Sequence, residues 1–406
     1  MKIKFLGGAS EVGRLGMLFS RSDRRILLDY GMLPTTPPQV PRPAPPVEAT
    51  LLTHAHLDHS GMIPWVTRRC GCPVWATEAT AAVSHILASD SQKIADAEGY
   101  DAPFSPSDVD HARELYDLME FGEVREWDGV EVEALFAGHI PGATMFRLRG
   151  DREVVFTGDI SVADSLLIGG TEPVSTDVLI IESTYASREH PERRALIGDF
   201  LEKVDEVVER GGHVIVPAFA VGRSQEILMM MAHTGYEVWF DGLGRTIADL
   251  YLDMPRFLKE PGALRRAMRE ARWVRNPSDR KRALQGDVIV TTSGMLDGGP
   301  VLEYANQMNS PDNAILLTGY QVEGTNGRLL VEERALDIAG AKVPIRAEVV
   351  QYDFSAHAGH SELISFIERS DPDLVVLMHG DDREALARDL TDHRVLLPDE
   401  GRWYEL

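Results

Sequence analysis

Cysteine is nearly absent from this chain: Cys70 and Cys72 are the only two in 406 residues. With one residue between them they are too close for an unstrained disulfide, and no second pair completes a thiolate metal site. Unbridged thiols in a reducing compartment are the expectation. Lysine is also scarce, 7 against 34 arginines. Positive charge is short altogether: Lys plus Arg is 41, Asp plus Glu is 64, and the formal charge is -23. Nucleic-acid binding through overall charge is therefore excluded, and any such binding needs a local basic patch. No apolar run approaches the ~20 residues of a membrane span. Met1 to Leu6 reads as a strand running into Gly7-Gly8 and lacks the long apolar region of a signal peptide. A cytoplasmic protein with no membrane contact is expected. The rest of the composition, 44% hydrophobic and 26% charged, is that of an ordinary globular protein with one or two sizeable cores.

Short apolar runs that end on a polar residue recur in the first half. Arg25 to Leu28 ends at Asp29, Thr50 to Thr53 runs into His54, Val154 to Gly158 ends at Asp159, and Asp177 to Ile181 ends at Glu182. Continuous β-branched runs of this kind indicate strands buried on both faces of a layered α/β arrangement. Strand ends are where such folds hold ligands. Pro34 to Pro46 holds seven prolines in thirteen residues and reads as an extended surface loop. From about Pro191 the pattern becomes regular βα alternation, with helices expected over 192–210 and 222–234. A second, parallel-sheet domain follows from it.

The strongest chemical signal is Thr53-His54-Ala55-His56-Leu57-Asp58-His59, three histidines and an aspartate within six residues directly after a buried strand. Histidine and carboxylate are the side chains of transition-metal sites. One ion cannot take all four from so short a loop with relaxed geometry. The loop can divide them, His54 and His56 to one metal, Asp58 and His59 to another. Two metals need more ligands, and Gly138-His139 and Gly158-Asp159 each follow a strand. His139 would complete the first ion and Asp159 would bridge both.

Asp29, the 54–59 loop, His139 and Asp159 resemble, in type and order, the motifs of the metallo-β-lactamase fold. The resemblance implies an αβ/βα sandwich with a two-metal site at one edge, and makes Asp29 a residue that orients a metal ligand. About 185 residues separate Asp159 from the next strand-end histidine, His357, and that insertion has its own βα pattern. This resembles the β-CASP branch, nucleases with a cap domain inserted into the core. Ile181-Glu182-Ser183-Thr184-Tyr185, Phe354-Ser355-Ala356-His357-Ala358-Gly359-His360 and Leu377-Met378-His379-Gly380 are similar to its later motifs. Val221-Gly222-Arg223-Ser224-Gln225-Glu226, Thr292-Ser293-Gly294-Met295-Leu296 and Thr318-Gly319-Tyr320-Gln321 are similar to segments of its cap. The expected division is a core over 1–190, a β-CASP cap with a parallel sheet over 191–342, and the rest of the core over 343–406. The match spans essentially the whole chain. It is strongest to archaeal and bacterial relatives of the RNA-cleaving subunit of the cleavage and polyadenylation specificity factor. No KH-type extension and no long C-terminal domain of the RNase J kind is expected.

The resemblance implies a zinc-dependent ribonuclease with two Zn2+ ions, acting on single-stranded RNA and leaving a 5′-phosphate and a 3′-hydroxyl. Endonucleolytic and 5′→3′ exonucleolytic modes stay open. The implied metal ligands are His54, His56, His139, Asp58, His59, Asp159 and His379, the last favouring RNA over DNA. The implied catalytic set is Asp58, Asp159, Glu182 and His357, with His357 as general acid and Glu182 orienting a site histidine. Ser355 and His357 are candidates for phosphate contact. Arg223 and Arg328, in Gly222-Arg223 and Gly327-Arg328, could present a guanidinium to phosphate. Between Arg256 and Arg282 ten basic residues face three acids, and Arg265, Arg266 and Arg269 sit at its centre. That stretch is either an RNA track or a solvated helix face. Two other readings stand beside the ribonuclease: a small-molecule metallohydrolase of the same fold, and a non-catalytic RNA-processing subunit. The short C-terminal strand Arg394-Val395-Leu396-Leu397 is compatible with a homodimer.

Overall fold

A computed structural model describes residues 1–406, the entire chain. It divides into two compact units. The first comprises Met1–Asp164, Gly169–Glu189 and Ala356–Leu406. The second comprises Ser165–Ile168 and His190–Ser355.

Two seven-stranded sheets form the first unit. One runs, in spatial order, Trp403–Glu405, Lys2–Gly7, Gly16–Arg21, Arg24–Leu28, Thr50–Leu51, Val74–Ala76, Tyr116–Leu118. The other runs Val395–Leu396, Leu374–Met378, Val178–Glu182, Glu153–Phe156, Thr144–Arg149, Val130–Phe136, Val124–Trp127. Successive strand residues point to opposite faces, and the chain uses both. Met17 and Phe19 join Phe146, Phe156, Ile180 and Val376 in the core shared by the two sheets. Leu18 and Leu27 point the other way, onto Ile63 and Val66 of the helix Ile63–Cys70. Sheets covered on both faces explain the unbroken apolar runs. The segment 34–46 forms no helix or strand beyond isolated bridging, as seven prolines dictate.

The second unit is a six-stranded sheet in the order Arg272–Trp273, Val238–Asp241, Val288–Thr291, Val214–Pro217, Ala314–Leu317, Glu348–Gln351. Every pairing in it is parallel. The helices Arg193–Glu209 and Arg223–Met231 alternate with its strands as the sequence pattern indicates. Residues 343–355, which the sequence pattern groups with the C-terminal part of the core, pack in this unit. Glu348–Gln351 pairs with Ala314–Leu317, and Tyr352 and Phe354 pack edge-on against Phe200 at 5.3 and 5.5 Å. A strand's partner in a parallel sheet is remote in sequence, so this pairing has no local signal.

Candidate metal centre

Six strand ends of the first unit carry the chemistry. Asp29 follows Arg24–Leu28, His54 follows Thr50–Leu51, and His139 follows Val130–Phe136. Asp159 follows Glu153–Phe156, Glu182 ends Val178–Glu182, and His379 follows Leu374–Met378. Parallel register sets Glu182 beside Met378, which brings His379 to the same edge.

The loop 54–59 is held by Asp29, which is fully buried and has a left-handed backbone at φ 54°. Asp29 Oδ1 accepts from Thr53 N at 2.7 Å, and Oδ2 accepts from Thr53 Oγ1 and His59 Nδ1, each at 2.8 Å. A carboxylate only accepts, so His59 donates from Nδ1, which leaves Nε2 as the atom that would face a metal. Thr53 Oγ1 gives its proton to Asp29 and therefore accepts from His54 Nδ1 at 3.1 Å, leaving His54 Nε2 bare. His139 Nδ1 donates to Ala356 O at 2.8 Å and frees its Nε2 in the same way. Outer hydrogen bonds that fix the tautomer of each imidazole are the usual frame of a metal site. Gly31 makes the approach possible: a Cβ there would stand 1.7 Å from Asp58 O.

The bare atoms converge in two groups. His54 Nε2 is 3.2 Å from His56 Nδ1, which is 3.0 Å from His139 Nε2. Asp159 Oδ2 closes this group, 3.5 Å from His54 Nε2 and 3.7 Å from His139 Nε2. His59 Nε2 is 3.3 Å from His379 Nε2 and 3.3 Å from Asp159 Oδ1. Asp58 Oδ2 joins them at 3.5 Å from His379 Nε2. Ligand atoms at 2.0–2.1 Å from one tetrahedral ion stand roughly 3.3 Å apart. Both groups have that spacing, and the two oxygens of Asp159 belong one to each. Asp159 Oδ1 is buried without a hydrogen bond, which is costly unless something else takes up its charge.

The electrostatics agree. Burial and neighbouring His59 hold His54 well below the ordinary imidazole value. Burial and His357 do the same to His139, and burial lowers His56. The shifts of all three favour the neutral imidazole, the form a metal would take. Burial opposes the charge of Asp159, yet His59, His357 and His379 hold it well below the usual carboxylate range. His59 goes the other way: burial opposes its proton, but Asp159, Asp29 and Asp58 outweigh burial. A cluster that draws a proton onto a fully buried histidine is one that takes up positive charge. The donor set, spacing and charge together fit a bound metal.

Glu182 differs from the residues of these two groups in its partners. It is fully buried; Oε1 accepts from Ile160 N at 2.7 Å, and both oxygens lie 3.0 Å from His357 Nδ1. Those bonds occupy its oxygens. His357 remains partly open, its side chain 19% exposed. Burial lowers the pKa of His357, but Glu182 and Asp159 outweigh it and raise the imidazole to about 9.

The remaining sequence candidates lie in the second unit and fall into two kinds. Arg223 is buried, and its guanidinium donates to Thr318 O at 3.0 Å. Arg328 Nε donates to Glu332 Oε1 at 2.6 Å, and Ser355 O accepts from Arg193 at 2.9 Å. Arg265, Arg266 and Arg269 are exposed on the helix Pro261–Glu270, opposite buried Leu264, Ala267 and Met268. Sequence reasoning assigned no role to Thr53, which joins Asp29 to His54, or to the Ala356 carbonyl that orients His139. Thr53 was signalled only by its place before the histidines; a carbonyl has no sequence signal.

Comparison with known proteins adds three family matches. Residues 15–218 match the metallo-beta-lactamase superfamily, 224–330 the Beta-Casp domain, and 342–398 the Zn-dependent metallo-hydrolase RNA specificity domain. The chain is 35% identical over 403 residues to "Probable RNase MJ4" of Methanocaldococcus jannaschii, covering 95% of this chain and 94% of that protein. It is 35% identical over 419 residues to "RNase aCSPSF2" of Saccharolobus solfataricus, covering 98% of this chain and 84% of that protein. A crystal structure of a protein of unknown function from Enterococcus faecalis V583 superposes over 100% of this chain and 99% of its own, with TM-score 0.64 and 14% identity. That likeness concerns the fold alone.

Proposed function

Because this chain belongs to the β-CASP ribonucleases of the metallo-β-lactamase superfamily, we propose that its buried histidine–aspartate cluster hydrolyses RNA with two zinc ions. The protein is a metal-dependent hydrolase acting on RNA. The observation that carries the two-ion reading is Asp159, whose two oxygens are divided between two tetrahedrally spaced donor groups. His54, His56, His139 and Asp159 would hold one ion, and Asp58, His59, His379 and Asp159 the other. Zinc held there would supply a bound water with a pKa of ~7 and positive charge against the phosphoryl oxygens.

The chain's own residues supply the rest. Asp29 and Thr53 fix the imidazoles of His59 and His54. Glu182 grips His357 Nδ1 and keeps that imidazole protonated near neutral pH. His357 then gives its proton to the departing 3′ oxygen, leaving a 3′-hydroxyl and a 5′-phosphate. Unbridged Cys70 and Cys72 fit a reducing, cytoplasmic setting. No helix is long and apolar enough to cross a membrane. The C-terminal strands Val395–Leu396 and Trp403–Glu405 are both sheet edges, the feature that keeps a homodimer in the proposal.

The test uses single-stranded RNA labelled at the 5′ end or internally, zinc-loaded protein and a His56→Ala control. Cleavage by the wild type alone is expected. Mononucleotides released first from the 5′ end mean exonuclease action, and internal fragments first mean endonuclease action. Intact RNA with metal-loaded protein would move the small-molecule hydrolase and the non-catalytic subunit ahead of this reading.

The exposed arginines of Pro261–Glu270 make a second prediction. An Arg265→Glu/Arg266→Glu/Arg269→Glu variant should bind single-stranded RNA with a shallower dependence on log salt. The expected change is about 0.7 for each phosphate that is no longer neutralised. An unchanged slope would make the helix a solvated face.

A further inference from the structure

The cap unit contains a cleft that the ribonuclease reading leaves unused. Its place follows from strand order. Val238–Asp241 and Val288–Thr291 are neighbours, but the chain leaves them in opposite directions. From Asp241 it passes through the helices Gly244–Asp253 and Pro261–Glu270 to the edge strand Arg272–Trp273. From Thr291 it passes through Pro300–Gln307 to Ala314–Leu317, on the far side of Val214–Pro217. Adjacent parallel strands that diverge in this way open a crevice outside their carboxyl ends, where α/β sheets hold ligands. The cleft lies beside that point, at the carboxyl ends of Val238–Asp241 and the edge strand Arg272–Trp273; it is about 650 Å³ and is lined by Asp241, Gly242, Arg245, Arg275, Asn276 and Arg280 among others. That volume lies within the ~300–1,000 Å³ of small-molecule sites.

The strand-to-helix turn Asp241-Gly242-Leu243-Gly244 is bare of bulk for physical reasons. Gly242 has φ +102°, a left-handed backbone that favours glycine. A Cβ on Gly244 would meet Ser224 Oγ at 2.4 Å and the Phe240 ring at 2.8 Å, so the helix start sits close on the sheet. No side chain caps that helix start. Glycines in these two roles are how a βα turn lets a phosphate approach backbone.

The charges select an anion. Asp241 is already engaged: Arg280 Nε donates to it at 2.8 Å and Tyr304 Oη at 2.8 Å. Arg245 and Arg275 then face only Asp249 among the lining acids, with Arg245 Nε 4.0 Å from its carboxylate. Arg245 lies 4.6 Å over the Trp273 ring, which holds the guanidinium in place while its side chain stays 38% exposed. Arg275 and Asn276 are exposed. In a chain of formal charge -23, a net positive cleft in a ligand position is a selective feature.

We propose that this cleft binds the phosphate of a nucleotide through Arg245, Arg275 and the Gly242–Gly244 turn. The nucleotide is one in the RNA strand, an identification that rests on the ribonuclease reading. The decisive experiment measures binding in full-length protein freed of metal by chelation, so that cleavage plays no part. Ten-nucleotide single-stranded RNA, AMP and inorganic phosphate are titrated into the wild type and an Arg245→Ala/Arg275→Ala variant. The variant should bind the RNA about tenfold more weakly, with a salt slope reduced by about 1.4 for two phosphates left without a guanidinium. Loss of AMP and phosphate binding with RNA affinity unchanged supports the phosphate site and makes a free nucleotide its source. Equal affinities of both proteins for all three ligands would overturn the proposal. Variant and wild type should give the same circular-dichroism spectrum and melting midpoint, which checks folding, and both are assayed with metal on RNA and on bis(p-nitrophenyl) phosphate. If neither protein cleaves RNA or that diester, the ribonuclease reading fails while the binding result stands by itself.

Discussion

Asp159→Asn should empty at least one metal position and lower RNA cleavage by about 10³-fold or more. Several kcal/mol of charge stabilisation come from bound metal, and each 1.36 kcal/mol is tenfold in rate. The substitution keeps the shape of the side chain and removes one acceptor. Oδ1 faces His59 and His379 at 3.3 and 3.8 Å, and Oδ2 faces His54 and His139 at 3.5 and 3.7 Å. An amide satisfies one group with its oxygen and turns N–H donors toward the other, where it cannot ligate. Elemental analysis should find fewer zinc ions per chain than in the wild type. Wild-type metal content with a wild-type rate would show that Asp159 is not shared, and the two-ion arrangement would fall with it.

His357→Ala should cost about 10²–10⁴-fold in cleavage rate, the usual contribution of a general acid, and leave metal content unchanged. The geometry supports the distinction. His357 Nδ1 is held by both oxygens of Glu182 at 3.0 Å and comes no nearer to Asp159 than 3.9 Å. The metal-facing groups are closed without it. A substrate whose leaving group departs unprotonated separates acid from ligand. On bis(p-nitrophenyl) phosphate, His357→Ala should lose little, whereas on RNA it should lose the full factor. Equal rate reductions on both substrates, or loss of zinc, would make His357 a ligand or a scaffold residue. Glu182→Gln should follow the same substrate pattern with a smaller reduction, because it weakens the hold on the imidazole without removing it.

Much of this centre was legible in the order of residues. His54, His56, Asp58 and His59 fall in six consecutive residues after a strand, and chain geometry forces such residues to share a neighbourhood. Asp29 and Asp159 showed themselves as acids ending apolar runs. His379 did not: 320 residues separate it from His59, whose Nε2 lies 3.3 Å away. Only the family resemblance linked them, because nothing local encodes that Leu374–Met378 pairs with Val178–Glu182. The cap motifs show the opposite limit. Gly222-Arg223 could be a phosphate loop or a helix start, and Arg223 begins the helix Arg223–Met231, buried and donating to Thr318 O. Residue type names what a side chain can bind, and burial decides what it meets.

The order of strands and helices, the histidine–aspartate loop and the local basic stretch were set by the sequence alone. They depend on spacing within a few residues, where periodicity and chain stiffness act. The tautomers fixed by Asp29, Thr53 and Ala356 and the cleft beside Asp241 were decided only by the tertiary structure. Each joins residues that parallel pairing brings together from distant parts of the chain, and the free energy of that pairing lies in burial shared across sheets.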